Sequence, residues 1–184
     1  GNGMLSLLRH RDQLEKLSPD MRAALDVARE QGVVVVVAAG NDGREVTGLR
    51  WAQHGLPIIV SNTRDDDTLA ANSNFGGTIY LAAPGSDIFS TVPGGTGYMS
   101  GTSMASPQVA GAAALLLSMN RNLLGVNSIK HLLRRMAVDL APAGKDDSFG
   151  WGRLSLPGGF VRPLRNAASF VGSTPGDNNG TYEK

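Results

Sequence analysis

The sequence predicts an α/β fold built on a doubly wound parallel sheet. Residues 33–39 form an uninterrupted apolar run rich in β-branched side chains, which is typical of a strand buried on both faces of a parallel sheet. Helical and strand patterns alternate along most of the chain, as expected when helices connect parallel strands. The length of 184 residues suits about one domain.

The first well-marked helix is predicted to begin at Ser18-Pro19-Asp20. Serine is a favoured N-cap, proline fits the first helical position, and Asp20 places negative charge near the positive end of the helix dipole. Gly32 is expected to end this helix. Its apolar face has helical spacing and consists of Met21, Ala24, Leu25 and Ala28.

Two short buried strands are predicted after the 33–39 strand, at residues 57–61 and 79–82. A long apolar helix should follow Ser103, and a second, amphipathic helix is marked by Ile129, Leu132, Leu133 and Met136. Residues 173–184 have no apolar period and are expected to be a polar tail or linker. We therefore predict one domain at 1–172 followed by this tail.

Composition excludes several classes of function. The net charge is +1, and no Lys/Arg cluster is interleaved with aromatic residues, so a nucleic-acid partner is not expected. No apolar run reaches the ~20 residues that span a bilayer, so no membrane partner is expected either. The absence of cysteine excludes disulfides and thiolate chemistry.

Ser103 is the strongest candidate for a catalytic residue. The segment 101–111 reads Gly-Thr-Ser-Met-Ala-Ser-Pro-Gln-Val-Ala-Gly and runs directly into the apolar helix. This order places a hydroxyl on the first helical turn, where free backbone N–H groups stabilise negative charge. An ordinary capped helix would also explain a serine at this position.

Asn41 is the second candidate, because it directly follows the 33–39 strand in Gly40-Asn41-Asp42-Gly43. Ligands gather at the carboxyl ends of parallel strands, so the Asn41 carboxamide could donate a hydrogen bond to an oxyanion. Asn-Asp-Gly is also common turn chemistry that needs no function.

Together these segments resemble the subtilisin-like serine proteases, the subtilases. Residues 101–107 match the Gly-Thr-Ser-Met-Ala-x-Pro motif that contains the family's serine, and residues 38–41 match its Ala-Ala-Gly-Asn. Residues 83–85 resemble the Ala-Pro-Gly segment that precedes the serine, and 150–154 resemble the closing strand. Gln108 departs from the family, which usually has histidine there.

The resemblance implies the C-terminal half of a subtilisin-like fold and a serine endopeptidase that acts on polypeptide substrates. Ser103 would be the nucleophile and Asn41 the oxyanion donor, while Ala38, Ala39, Gly40 and Thr102 would bind substrate. It further implies a secreted or extracytoplasmic protein. The chemistry requires no cofactor, although members often bind structural calcium. No set of residues here matches a family calcium site closely enough to be named. The acidic run 65–67 could hold a hard cation through its carboxylate oxygens or could be a solvated turn.

The sequence lacks the motifs that contain the family's general base and the carboxylate that orients it. In this family they lie upstream of the oxyanion asparagine, in Asp-Ser/Thr-Gly and His-Gly-Thr-His segments, neither of which is present. The three histidines, His10, His54 and His131, are expected to be solvated or structural. Because Gly1-Asn2-Gly3 also lacks an initiator methionine, we expect a missing N-terminal half to supply both groups and this chain alone to be inactive.

Two other functions are considered for this sequence. A catalytically inactive subtilase-like binding or scaffold module would also lack the base. An esterase of the α/β-hydrolase type would require a Gly-x-Ser-x-Gly elbow, whereas Ser103 is flanked by Thr102 and Met104.

Overall fold

A three-stranded parallel sheet determines where the candidate residues lie. The computed structural model describes residues 18–46, 54–119, 125–140 and 142–156. The strands of this sheet are β1 (Val36–Ala38), β2 (Ile58–Thr63) and β3 (Leu81–Pro84), in the order β1-β2-β3. Because neighbouring strands pair in parallel, their carboxyl ends lie at one edge of the sheet.

The first described helix, α1 (Pro19–Glu30), begins where the sequence predicts. The Ser18 hydroxyl oxygen accepts a hydrogen bond from the Met21 N–H at 3.1 Å, and Gly32 adopts the left-handed conformation just beyond the helix. Only Leu25 of the predicted apolar face is buried, while Met21 is 54% exposed. The helix is therefore confirmed, but its apolar stripe is covered only in part by the described residues.

A second helix, α2 (Thr102–Met119), packs across all three strands and forms the main core with them. Alanines on its buried face allow the helix to approach the sheet closely. The buried residues of the helix are Thr102, Ala105, Val109, Ala112, Ala113 and Leu116. Pro107 lies inside the helix and has no N–H, so the Ser103 carbonyl lacks its usual intrahelical donor.

The third helix, α3 (Val126–Met136), confirms the predicted amphipathic segment. Ile129, Leu132 and Leu133 are buried in the same core as α2, and Met136 packs against its border. None of the described helices is both long and apolar enough to cross a membrane.

Two predicted strands differ from the observed ones. Residues 33–39 were expected to be buried on both faces, but β1 covers only three residues, all half-buried, and Val33 is 51% exposed. The reason is that β2 is the only neighbour of β1 within the described parts of the chain. The 79–82 prediction is displaced by two residues from β3, whereas the 57–61 prediction matches the fully buried β2.

An antiparallel hairpin was not anticipated from the sequence. Its strands are β4 (Ile88–Val92) and β5 (Gly95–Met99), joined by the turn Pro93-Gly94. The hairpin leads from the end of β3 into the turn that begins α2, so it connects two parts of the candidate site. The segment expected to be the closing strand instead pairs through isolated bridges, Leu81 with Gly150 and Ala82 with Arg153.

Candidate active site

Ser103 lies on the first turn of α2, and its side chain is exposed. N–H groups of a first helical turn have no acceptor within the helix, so the Ser103 N–H is available at the same place as its hydroxyl. The turn before it approaches Gly85 closely, since the Gly101 N–H donates to the Gly85 carbonyl oxygen at 2.7 Å. A Cβ at Gly85 would lie 2.6 Å from the Gly101 carbonyl oxygen, which explains the glycine.

Asn41 lies just beyond the carboxyl end of β1 and meets the start of α2. Its Oδ1 accepts hydrogen bonds from the Thr102 N–H at 2.8 Å and from the Thr102 hydroxyl at 3.0 Å. With Oδ1 engaged in this way, the Nδ2 hydrogens are the part of the amide that remains for a ligand. The side chain is exposed, so the structure brings an available amide donor to the residue next to Ser103.

Thr102 is completely buried and joins the two loops of the site. Besides donating to Asn41, its hydroxyl oxygen accepts a hydrogen bond from the Gly40 N–H at 3.2 Å. The sequence suggested substrate binding for Thr102, but its hydroxyl is occupied within the protein. The structure therefore supports a positioning role for it, which its place in a serine motif did not reveal.

The other three residues suggested for a substrate pocket follow one another at the end of β1. Ala38 is half-buried, and Gly40 has a φ of +99°. Ala39 is 4% exposed and packs in a small core with Ile59 and Ile79. The Ala39 side chain thus faces the interior, so its backbone is the part that remains to form a pocket wall.

Sequence reasoning also missed Asn74, which is 2% exposed and contacts the loop that carries Asn41. Its side chain bonds to Ala39, Asp42 and Arg44. No sequence signal marked Asn74, because the burial that forces its amide to find partners is visible only in the structure.

Neither of the two described histidines, His54 and His131, is bonded to Ser103. His54 Nε2 lies 2.9 Å from Asp26 Oδ1, and Arg29 donates to His54 Nδ1 at 3.1 Å. His131 lies on α3, where burial and then the nearby Arg135 and Arg134 lower its pKa. Neither forms a hydrogen bond with Ser103 in the described structure, and His10 lies outside the described residues.

The acidic run 65–67 is used for local structure. Asp66 Oδ1 accepts from the Thr68 N–H at 3.0 Å and from the Thr68 hydroxyl, and these bonds lower the pKa of Asp66. Asp67 forms a two-point ion pair with Arg153. No group of three metal-binding side chains occurs in the parts of the chain that the structure describes. Asp66 and Asp67 therefore have partners within the protein, and structural calcium stays an expectation from the family resemblance.

The amino-acid sequence is similar to those of known proteases. The subtilase family model matches residues 6–152. A thermophilic serine proteinase of Bacillus sp. strain AK1 is 41% identical over 72% of this chain and 32% of its own length. An extracellular protease of Xanthomonas campestris pv. campestris is 41% identical over 68% of this chain and 23% of its own.

Solved structures give the same result for the fold. A protease from Pseudoalteromonas arctica superposes with a TM-score of 0.68 and 29% identity, covering 85% of this chain and 47% of that protease. The predicted fold class, an incomplete subtilisin-like α/β fold with a parallel sheet, is confirmed. The chain spans 19% to 32% of the length of the curated relatives that it matches.

Proposed function

This chain belongs to the subtilase family, and from that premise we propose that it carries the nucleophile and the oxyanion site of a serine endopeptidase. The reaction is hydrolysis of a peptide bond by acyl transfer. The observation that supports it best is the contact between Asn41 and Thr102, which directs an amide donor to the residue beside Ser103.

In the proposed reaction, Ser103 Oγ attacks the carbonyl carbon of the scissile bond. The carbonyl oxygen becomes an oxyanion that accepts hydrogen bonds from Asn41 Nδ2 and the Ser103 N–H. Donors that are already in place stabilise developing charge without reorganisation, and this stabilisation usually contributes more to catalysis than any other single effect. The positive end of the α2 dipole adds to the stabilisation.

The general base and its carboxylate come from a polypeptide segment outside this chain, which we call the complementing segment. This proposal is supported by His54, which bonds to Arg29 and Asp26 and not to Ser103, and by the place of His131 on α3, where it forms no hydrogen bond with Ser103 in the described structure. The edge of β1 opposite β2, which no strand covers in the described parts of the chain, is a suitable place for the segment. Val33, three residues before β1, is 51% exposed, and exposed apolar strand edges are normally covered in folded proteins.

The substrate is a polypeptide, as in the related proteases. The small residues at the end of β1, Ala38 and Gly40, leave space for the side chain that precedes the cleaved bond. The chemistry needs no metal or organic cofactor, because the donors and nucleophile are protein groups. We further propose a secreted protein, since one relative is named an extracellular protease.

Two variants of the complete protein, meaning this chain together with the complementing segment, test the proposal. Ser103→Ala removes the covalent step and should abolish peptide hydrolysis. Asn41→Ala removes one oxyanion donor and should lower kcat by about 10² to 10³, the loss known for removal of the equivalent donor from a subtilisin, while KM changes little. An inactive complete protein that folds and binds peptides would instead favour the catalytically inactive binding module.

A further inference from the structure

The loop that carries Asn41, residues 39–44, is bonded to residues 72–75, and the buried side chain of Asn74 makes three of these bonds. Asn74 Nδ2 donates to the Ala39 carbonyl oxygen at 3.0 Å. Asn74 Oδ1 accepts from the N–H groups of Asp42 and Arg44 at 3.0 and 3.1 Å. The Asn74 N–H donates to the Gly40 carbonyl oxygen at 2.9 Å. These four bonds reach the backbone on both sides of Asn41.

An amide suits this position because it is both a donor and an acceptor. A carboxylate could accept from the two N–H groups but could not donate to Ala39, and an apolar side chain could do neither. Asn74 also approaches the loop closely, since a Cβ at Gly40 would lie 2.5 Å from Asn74 Nδ2. Gly40 also has a positive φ of +99°, a backbone conformation that glycine adopts readily because it has no Cβ.

We propose that Asn74 is a positioning residue for the oxyanion donor Asn41, an inference that rests on the proposed function. Asn41 is exposed, so its own packing does little to hold it, and Thr102 bonds only to the end of its side chain. Asn74 fixes the backbone from which that side chain extends. Misplacing a catalytic group by about 1 Å can cost about 10²-fold in rate. The bonds from Thr102 and Asn74 together therefore determine the position of Asn41 Nδ2.

Asn74→Asp in the complete protein is the first test. The substitution keeps the shape and both acceptors but places a carboxylate against the Ala39 carbonyl oxygen. We expect kcat to fall about 10-fold with less than about a twofold change in KM, because the loss affects the oxyanion and not substrate binding. Asn72→Asp is the matched control, since Asn72 is exposed on the same loop as Asn74, and it should keep the wild-type kcat.

A double-mutant cycle separates positioning from a direct effect of charge. If Asn74 acts through Asn41, Asn74→Asp should change kcat less than about twofold when Asn41 is already alanine. Repulsion between the new carboxylate and the oxyanion, or general damage to the fold, would lower kcat equally in both backgrounds and would overturn the proposal. Asn74→Ser takes the place of the aspartate variant in the same cycle if the latter does not fold.

The cycle also distinguishes this proposal from the proposed function. A wild-type complete protein without peptidase activity contradicts the function, and the positioning role with it. An active wild type in which Asn74→Asp and Asn72→Asp have the same kcat contradicts the role of Asn74 alone.

Discussion

Asn41 and Thr102 are 61 residues apart in the chain, yet Asn41 Oδ1 accepts hydrogen bonds from both the backbone N–H and the hydroxyl of Thr102. This contact joins the end of β1 to the start of α2. It also orients the Asn41 amide, because an oxygen that faces two donors leaves the NH2 group on the opposite side. Ser103 directly follows Thr102, so the same residue positions the proposed nucleophile and the proposed oxyanion donor.

Thr102→Val should impair catalysis through this contact. Valine has the shape of threonine but leaves the Gly40 N–H without its acceptor and frees Asn41 from one of its two bonds. We expect kcat of the complete protein to fall about 10-fold, with a loss of stability of about 1–3 kcal/mol from the unpaired buried groups. Thr102→Ser keeps the hydroxyl and should remain within about threefold of the wild-type kcat. Equal kcat values for the two variants would contradict the role of the hydroxyl.

Gly40→Ala should be far more damaging than Gly32→Ala. Both glycines have positive φ values, +99° and +68°, so both substitutions introduce backbone strain of about 1 kcal/mol. A Cβ at Gly32 meets nothing within 4 Å, whereas a Cβ at Gly40 lies 2.5 Å from Asn74 Nδ2. Thermal unfolding and kcat should therefore both change more for Gly40→Ala. Similar losses in the two variants would mean that Asn74 can move without consequence.

Tyr80 should make stability depend on pH in the alkaline range. Its hydroxyl donates to the Lys130 carbonyl oxygen at 2.9 Å, and burial raises the Tyr80 pKa to about 12, although Arg134 opposes the shift. A folded state that favours the neutral phenol is stabilised fully below about pH 10, the ordinary pKa of tyrosine, and loses that contribution as the pH rises towards 12.

Comparison with Tyr80→Phe isolates this effect. Lys130, whose pKa is lowered by burial and by Arg29 and Lys145, titrates in both proteins, so only its interaction with the ionised Tyr80 ring, whose centroid lies 4.6 Å from Lys130 Nζ, remains in the difference. At pH 7 the variant should be less stable by about 1 kcal/mol, because it lacks the hydrogen bond. Above pH 10 the difference should shrink and then reverse, by up to about 2 kcal/mol, in denaturant titrations of the complete protein. A difference that stays constant to pH 12 would contradict the burial of a neutral phenol.

One edge of β1 has no neighbouring strand among the described residues, and this edge should make the chain self-associate when it is purified alone. Val33→Lys places a charge three residues before β1 and should reduce the association measured by light scattering. Val27→Lys is the control, because Val27 is an equally exposed valine, at 55%, on α1. The complementing segment should restore a monodisperse complex. A monomeric chain with a sharp two-state melt would contradict an uncovered edge.

The helices and the site motifs could be predicted from the sequence because their signals are local. Ser18-Pro19-Asp20 predicts a helix start, and the serine and asparagine motifs predict where Ser103 and Asn41 lie. The burial of Val33 could not be predicted, since it depends on which strand lies beside it. The roles of Thr102 and Asn74 also escaped prediction, because their hydrogen bonds join residues 30 to 62 positions apart. The β4–β5 hairpin was missed because its glycines give a weak strand pattern.

We propose that Ser103 is a nucleophile whose base lies outside this chain. Fluorophosphonate labelling of Ser103, located by mass spectrometry, tests it most directly, with Ser103→Ala as the control. We expect no labelling of the chain alone above that control and robust labelling when the complementing segment is present. Robust labelling of the chain alone would show that His10, His54 or His131 acts as the base, and failure to label the folded complete protein would show that Ser103 is not the nucleophile.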